Sequence, residues 1–191
     1  MLGNRYGHVF DKPLGGVARR IPVHPNLLSV LGFAITLFAC YVLSFDLPRG
    51  GILILCGAFF DVLDGVVARA TNKITRFGAF LDSVLDRYSD AFIMFAVAYN
   101  MATDANMTGV VLCMGTLLGS FLVSYSRARA EGLGEECKYG IMERPERLIL
   151  ITAGAISELM IPVLWILVVL TNITVIQRIH YVWKATKKNL Q

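Results

Sequence analysis

Apolar residues in this chain occur in long runs rather than at alternating positions, and the runs are separated by short polar connections. A membrane-crossing helix needs about 20 mostly apolar residues. We predict an all-α integral membrane protein, a single domain over residues 1–191, with six transmembrane helices. These spans run from Asn26 to Phe45, Arg49 to Ala70, about Phe77 to Met101, about Thr108 to Ser126, about Leu148 to Met160 and about Ile161 to Val182.

The boundary between the short fifth span and the sixth depends on three turn or breaker residues, Ser157, Glu158 and Pro162. They divide an apolar run that is too long for one helix. The alternative is a single tilted helix, which would leave five spans.

Before the first span, apolar residues recur at helix-like spacing between basic and small residues. This pattern predicts an interfacial amphipathic helix at the N-terminus, and a loosely ordered basic tail is the alternative. The apolar positions are Leu2, Tyr6, Val9, Phe10, Leu14, Val17 and Ile21.

Composition agrees with a membrane protein, since 55% of residues are hydrophobic, 17% are charged and the mean hydropathy is +0.60. Lysine and arginine accumulate in cytoplasmic loops. With six spans, the basic residues of the termini, the connections and the span ends all fall on one side of the membrane except Arg49. We therefore expect a multi-pass protein of the cytoplasmic membrane with both termini cytoplasmic, and membrane lipid rather than nucleic acid as its surroundings.

Four aspartates lie on the second and third spans, at their cytoplasmic ends: Asp61, Asp64, Asp82 and Asp86. Each pair shares one helix face, since Asp61 and Asp64 are about 60° apart and Asp82 and Asp86 about 40° apart. Converging carboxylates in a weakly hydrated site repel one another, and hard divalent cations are the usual remedy. Asp90 lies one turn after Asp86 on the same helix face, and we interpret it as a structural partner for Arg87 or a backbone group.

Small residues accompany the acids. Gly65, Ala68 and Gly78 leave both helices bare where a phosphate or a second backbone must approach closely. Arg69 can place a guanidinium on a phosphate. Carboxylates for two metals, a bare wall and an arginine together indicate phosphoryl transfer.

The run from Asp61 to Asp86 reads D-x2-D-G-x2-A-R-x8-G-x3-D-x3-D. It resembles the signature of the CDP-alcohol phosphatidyltransferases at all eight fixed positions. The resemblance implies two divalent ions, Mg2+ or Mn2+, on Asp61, Asp64 and Asp82, with Asp86 near the metals as the general base. It further implies a CDP-lipid site that includes Asp61 and Asp64 together with Asn26, Ser29, Gly65, Ala68, Arg69 and Gly78.

Five basic residues lie between Ser124 and Leu148, and Arg178 returns to the same level on the sixth span: Arg127, Arg129, Lys138, Arg144 and Arg147 precede it. An acceptor that carries its own phosphate needs such a pocket. Ordinary positive-inside charge with lipid headgroup contacts is the alternative from composition alone.

The segments Y-S-R-A-R-A-E and E-R-P-E-R-L resemble the phosphatidylinositol phosphate and archaetidylinositol phosphate synthases of the same family. That resemblance implies acceptor-phosphate binding by Arg127, Arg144 and Arg178. It also implies transfer from CDP-diacylglycerol or CDP-archaeol to inositol 1-phosphate with release of CMP. Phosphatidylglycerophosphate synthesis with glycerol 3-phosphate is the nearest alternative.

Gly115 and Gly119 form a G-x-x-x-G on the fourth span, which permits close helix approach, either within the chain or to a second copy. The family resemblance implies a homodimer. A cation or proton transporter is the alternative of another class, because intramembrane acids also mark ion pathways. The bunching of the acids at one membrane side argues against it.

Overall fold

The computed structural model describes residues 23–137 and 139–188, and it gives the side chains of those residues except that of Lys188. Every regular element in these ranges is an α-helix. We number them α1 to α6: Pro25–Leu43, Leu47–Ala70, Arg76–Thr103, Met107–Gly132, Arg144–Ile156 and Met160–Lys188. The predicted N-terminal amphipathic helix lies outside the described residues.

Polar side chains fix where the helices begin. Asp46, Thr75 and Asn106 each precede a helix and accept a hydrogen bond from the backbone N–H three residues later, at 2.9 to 3.0 Å. Such caps satisfy amide groups that the helix leaves unpaired. Only three to five residues separate these helices from the ones before them.

Four helices, α1, α2, α4 and α6, are long and apolar enough to cross a membrane by length and composition. The other two depart from the predicted pattern for identifiable reasons. Helix α3 carries charges at Asp82, Asp86 and Asp90, and α5 has only 13 residues.

The predicted break in the last apolar run is present, and the alternative of one continuous helix is wrong. Helix α5 ends at Ile156 and α6 begins at Met160. Between them, Glu158 has a φ of 57°, which a continuing right-handed helix does not allow. The break therefore includes Ser157 and Glu158, whereas Pro162 lies inside the first turn of α6.

Glycines set the closest helix contacts. A Cβ placed on Gly50 of α2 would collide with the backbone of Leu43 in α1, so only glycine fits this crossing without a shift. On α4, a Cβ at Gly119 would collide with Thr171 of α6, and one at Gly115 would lie 3.2 Å from Val168. The G-x-x-x-G is thus used for packing within the chain, and it is not a free surface for a second copy.

The main core joins α1 to all the later helices through buried side chains such as Leu43, Ile54, Val97, Ala155 and Leu164. Many large apolar side chains outside this core remain exposed on the helices, including Phe38, Phe95 and Trp165. A lipid bilayer is the environment in which such a surface is stable.

Candidate active site

The four signature aspartates come from two consecutive helices joined by a five-residue turn. Asp61 and Asp64 lie in the last turns of α2, and Asp82 and Asp86 lie in the first half of α3. The turn between them includes Asn72, whose φ of 54° is one that asparagine tolerates better than most residues. The sharp return brings both pairs to the same end of the bundle.

Arg144, the first residue of α5, joins the two helices. Its Nη2 lies 2.9 Å from Asp61 Oδ2, and its Nη1 lies 2.7 Å from Asp86 Oδ1. These are charge-assisted contacts of the strong kind. Carboxylates of Asp61, Asp86 and Asp90 lie within 2.7 to 3.8 Å of this guanidinium, and arginine is not deprotonated in proteins. The side chain therefore stays cationic.

Asp64 has a different environment from Asp61. It is 7% exposed, and the Ser29 hydroxyl of α1 donates a hydrogen bond to its Oδ2. Asp82 is partly buried on the facing helix. The structure therefore brings Ser29 and Asp64 together, as the sequence predicted for two members of one site.

Within residues 23–137 and 139–188, no three acidic, histidine or cysteine side chains converge in the way a formed metal site requires. Arg144 separates Asp61 from Asp86, and Asp64 is turned toward Ser29. The donor set is nevertheless chemically suited to a hard divalent cation, because it consists of carboxylate oxygens. The bridging guanidinium also indicates that these oxygens need a positive charge among them.

The small residues predicted to line a CDP site lie where helices approach each other. A Cβ on Gly78 of α3 would lie 3.0 Å from Asn26 Oδ1 of α1. A Cβ on Gly65 would lie 3.2 Å from Arg69 Nη1, so this arginine folds back over the bare position. Ala68 is partly exposed on the same helix.

Gly32 of α1 is a site residue that the sequence analysis missed. A Cβ at this position would lie 3.1 Å from Asp61 Oδ1, so glycine leaves room for the carboxylate. The available signal was its position one turn after Ser29.

A cavity of about 1190 Å3 opens beside the aspartates between α3 and α4 and is closed by the first turn of α5 and by α6. Aromatic and aliphatic side chains form one wall, among them Phe80, Tyr88, Phe92, Leu117 and Phe121. Charged side chains also line the cavity, among them Asp86, Arg127, Glu143, Arg144, Arg147 and Arg178. All three predicted acceptor-phosphate residues therefore border one cavity.

Those three arginines are held differently. Arg127 is 37% exposed, and its Nε lies 2.9 Å from Glu131 Oε1. Arg178 is 2% exposed, and it donates from Nε to the Tyr139 carbonyl at 2.7 Å and from Nη1 to the Val123 carbonyl. Arg178 thus fastens α6 to Val123 of α4 and to the connection that follows α4.

Glu143 lies between two of these arginines, a position that the sequence analysis did not assign. Its Oε1 is 3.8 Å from Arg127 Nη1 and 3.7 Å from Arg178 Nη2. The carboxylate keeps the two guanidinium groups near each other at the cavity wall.

Asp90 has a different partner from the predicted one, which was Arg87 or a backbone group. Asp90 Oδ2 pairs with Arg147 Nη2 at 2.6 Å, whereas Arg87 contacts the Ser83 carbonyl at 2.9 Å and Asp86 at 3.5 Å. Arg147 is 2% exposed and lies one turn after Arg144. A pair buried to this degree needs both partners, because either charge alone would be costly.

Residues 22–183 match the sequence profile described as CDP-alcohol phosphatidyltransferase. An archaetidylinositol phosphate synthase from Pyrococcus horikoshii is 40% identical over 182 residues, covering 93% of this chain and 91% of the relative. A phosphatidylinositol phosphate synthase from Mycobacteroides abscessus is 36% identical, covering 89% of this chain and 82% of the relative.

Solved structures agree with the sequence comparison. The crystal structure of Mycobacterium tuberculosis phosphatidylinositol phosphate synthase with CDP-DAG bound has a TM-score of 0.81 at 31% identity, over 91% of this chain and 93% of that one. The same enzyme in complex with manganese and citrate has a TM-score of 0.80, over 91% of this chain and 88% of that one. With the signature aspartates gathered at one end of the bundle, these matches establish that the chain belongs to the CDP-alcohol phosphatidyltransferase family.

Proposed function

We propose that this enzyme transfers a phosphatidyl or archaetidyl group from a CDP-linked lipid to a hydroxyl of inositol 1-phosphate and releases CMP. The observation that carries the proposal is the single cavity bordered by both Asp86 and the three arginines Arg127, Arg144 and Arg178. A phosphorylated acceptor in this cavity would have its phosphate near arginines and its hydroxyl near a carboxylate. Family membership decides against the transporter alternative.

The acceptor assignment has two supports. The guanidinium groups of Arg127 and Arg178 approach the same carboxylate, Glu143, from two helices, so they already form a cluster suited to a phosphate. The similar proteins are named for inositol phosphate lipids. Glycerol 3-phosphate has the same phosphate chemistry and remains the alternative acceptor.

For the donor, we propose a site that includes Asp61 and Asp64 together with Asn26, Ser29, Gly65, Ala68, Arg69 and Gly78. The structure of the relative with CDP-DAG bound supports this use of the fold. We propose that Asp61, Asp64, Asp82 and Asp86 hold two divalent cations, and the relative in complex with manganese supports a divalent ion. When bound, such cations would stabilise the charge that develops toward CMP.

Asp86 is the proposed general base. It accepts the proton of the acceptor hydroxyl, and the resulting oxygen forms a bond to the lipid-linked phosphorus of the CDP-lipid. The bond from that phosphorus to the oxygen of CMP breaks, and CMP leaves with the electron pair. Arg69, folded over Gly65, is placed to contact a donor phosphate.

We further propose that all six helices cross the membrane and that the site opens to the cytoplasm. Arg127, Arg144 and Arg178 lie at the end of the bundle that holds the aspartates. Arg49 lies in the first turn of α2, at the opposite end of the bundle. Basic residues favour the cytoplasmic side of a membrane. A homodimer completes the proposal on the basis of the family resemblance.

Release of CMP by purified protein with separate acceptors tests the requirement for an acceptor phosphate. We expect turnover with CDP-lipid, a divalent cation and inositol 1-phosphate. Free myo-inositol and serine should give little, because neither provides the phosphate that the arginines would bind. Equal turnover with free inositol and inositol 1-phosphate would contradict the proposed pocket.

A further inference from the structure

Arg144 occupies the centre of the carboxylate cluster. Its two terminal nitrogens lie at ion-pair distance from Asp61 of α2 and Asp86 of α3. These oxygens belong to residues that the proposed function assigns to divalent cations. A guanidinium and a metal ion cannot use the same carboxylate oxygens fully at the same time.

The same side chain also borders the cavity proposed for the acceptor. Its Nε is buried without a hydrogen-bond partner, and the Asp90 Oδ1 that it faces is 3.8 Å away. An unsatisfied charged donor of this kind is costly. Arg144 is therefore held by two carboxylates while part of its donor capacity remains unused.

Other basic residues near the site do not share this position. Arg87 reaches Asp86 only at 3.5 Å and also donates to a backbone carbonyl of its own helix. Arg127 and Arg178 approach Glu143 instead. The ion pairs of Arg144 connect Asp61 of α2 to Asp86 of α3.

The start of α5 can stay in place while Arg144 moves. Arg147, one turn later, is anchored to Asp90 at 2.6 Å and donates to the Met142 carbonyl at 3.4 Å. A change at Arg144 thus requires rotation of one long side chain and no displacement of the helix.

We propose that Arg144 is an exchangeable counter-ion: binding of divalent cations releases it from Asp61 and Asp86, and it then binds the phosphate of the acceptor. This inference rests on the proposed function and adds a coupling between the metal and acceptor sites. Because binding coupling is reciprocal, each ligand should raise the affinity of the other by the same factor.

The first test measures binding of Mn2+ to the detergent-purified full chain, without CDP-lipid, by electron paramagnetic resonance of the free ion. Arg144→Gln should bind Mn2+ more tightly than the wild type, by a factor within the roughly 5- to 150-fold range of such couplings. Arg129→Gln is the matched control, because it removes one positive charge from an exposed position on α4 and should leave the affinity unchanged. Equal or weaker Mn2+ binding by Arg144→Gln would overturn the exchange.

The second test measures the coupling in the wild type, where no variant has to fold. Inositol 1-phosphate should tighten Mn2+ binding, and Mn2+ should tighten inositol 1-phosphate binding equally. The effect should disappear in Arg144→Gln and shrink in Arg144→Lys, which keeps the charge but lacks the fork that reaches two carboxylates. A wild type whose Mn2+ affinity responds to neither inositol 1-phosphate nor glycerol 3-phosphate would overturn the coupling.

These results are separable from failure of the proposed function. The comparison of Mn2+ affinities between wild type and Arg144→Gln involves no acceptor, so it decides the exchange at the carboxylates by itself. The identity of the acceptor is decided by turnover.

Discussion

Asp86→Asn should lower turnover by roughly 10²- to 10⁴-fold, the range that a positioned general base contributes. The amide cannot take the acceptor proton, yet it keeps nearly the same shape at the cavity wall. Binding of CDP-lipid to the purified variant should be retained. Turnover under saturating substrates and direct binding of the lipid provide the two measurements.

Asp104→Asn is the matched control for that variant. It makes the same substitution at the opposite end of α3, where Asp104 follows the last helical residue. Its turnover should equal that of the wild type. If Asp86→Asn retained near-normal turnover, the assignment of Asp86 as the base would be wrong.

Arg127→Gln should raise the KM for inositol 1-phosphate by about 10- to 150-fold. The reason is the loss of a hydrogen bond to a charged group, worth about 1.5–3 kcal/mol, where each 1.4 kcal/mol is about tenfold. The KM for CDP-lipid should not change, because Arg127 borders the cavity proposed for the acceptor and is not among the residues proposed for the donor. Steady-state kinetics with each substrate varied in turn measures both values.

Arg129→Gln again supplies the control, since this exposed residue lies two positions further along α4 and points away from its neighbour. It should change neither KM. Equal rises for Arg127→Gln and Arg129→Gln would indicate a general effect of membrane-side charge and would argue against a specific phosphate contact.

The sequence predicts much of this fold because apolar runs and breaker residues are local signals. The division at Ser157 and Glu158 is one example, and it fixes the number of helices at six in the described chain. The count of membrane spans is harder to predict. The acids of α3 that identify the site also lower its apolar character, and α5 is short.

The signature aspartates are likewise readable from spacing within two neighbouring helices. The pairing of Arg144 with Asp61 and Asp86 is not, because its partners are 83 and 58 positions away in the chain (144 − 61 and 144 − 86). The same reason accounts for the wrong partner assigned to Asp90. Arg87 lies three positions earlier on the same helix, whereas the observed partner, Arg147, comes from α5.

The G-x-x-x-G of α4 illustrates a further limit of sequence. Its spacing indicates close packing but does not identify the partner helix. In the structure that partner is α6, through Val168 and Thr171.

Mass spectrometry of the lipid product directly tests whether the enzyme transfers its lipid group to inositol 1-phosphate. The purified enzyme would be incubated with equal concentrations of inositol 1-phosphate and glycerol 3-phosphate. The CDP-lipid donor would be CDP-diacylglycerol in one incubation and CDP-archaeol in another. One spectrum then identifies both the headgroup and the chains. We expect a lipid that carries inositol phosphate, and a product that carries only glycerol phosphate would show that the acceptor assignment is wrong.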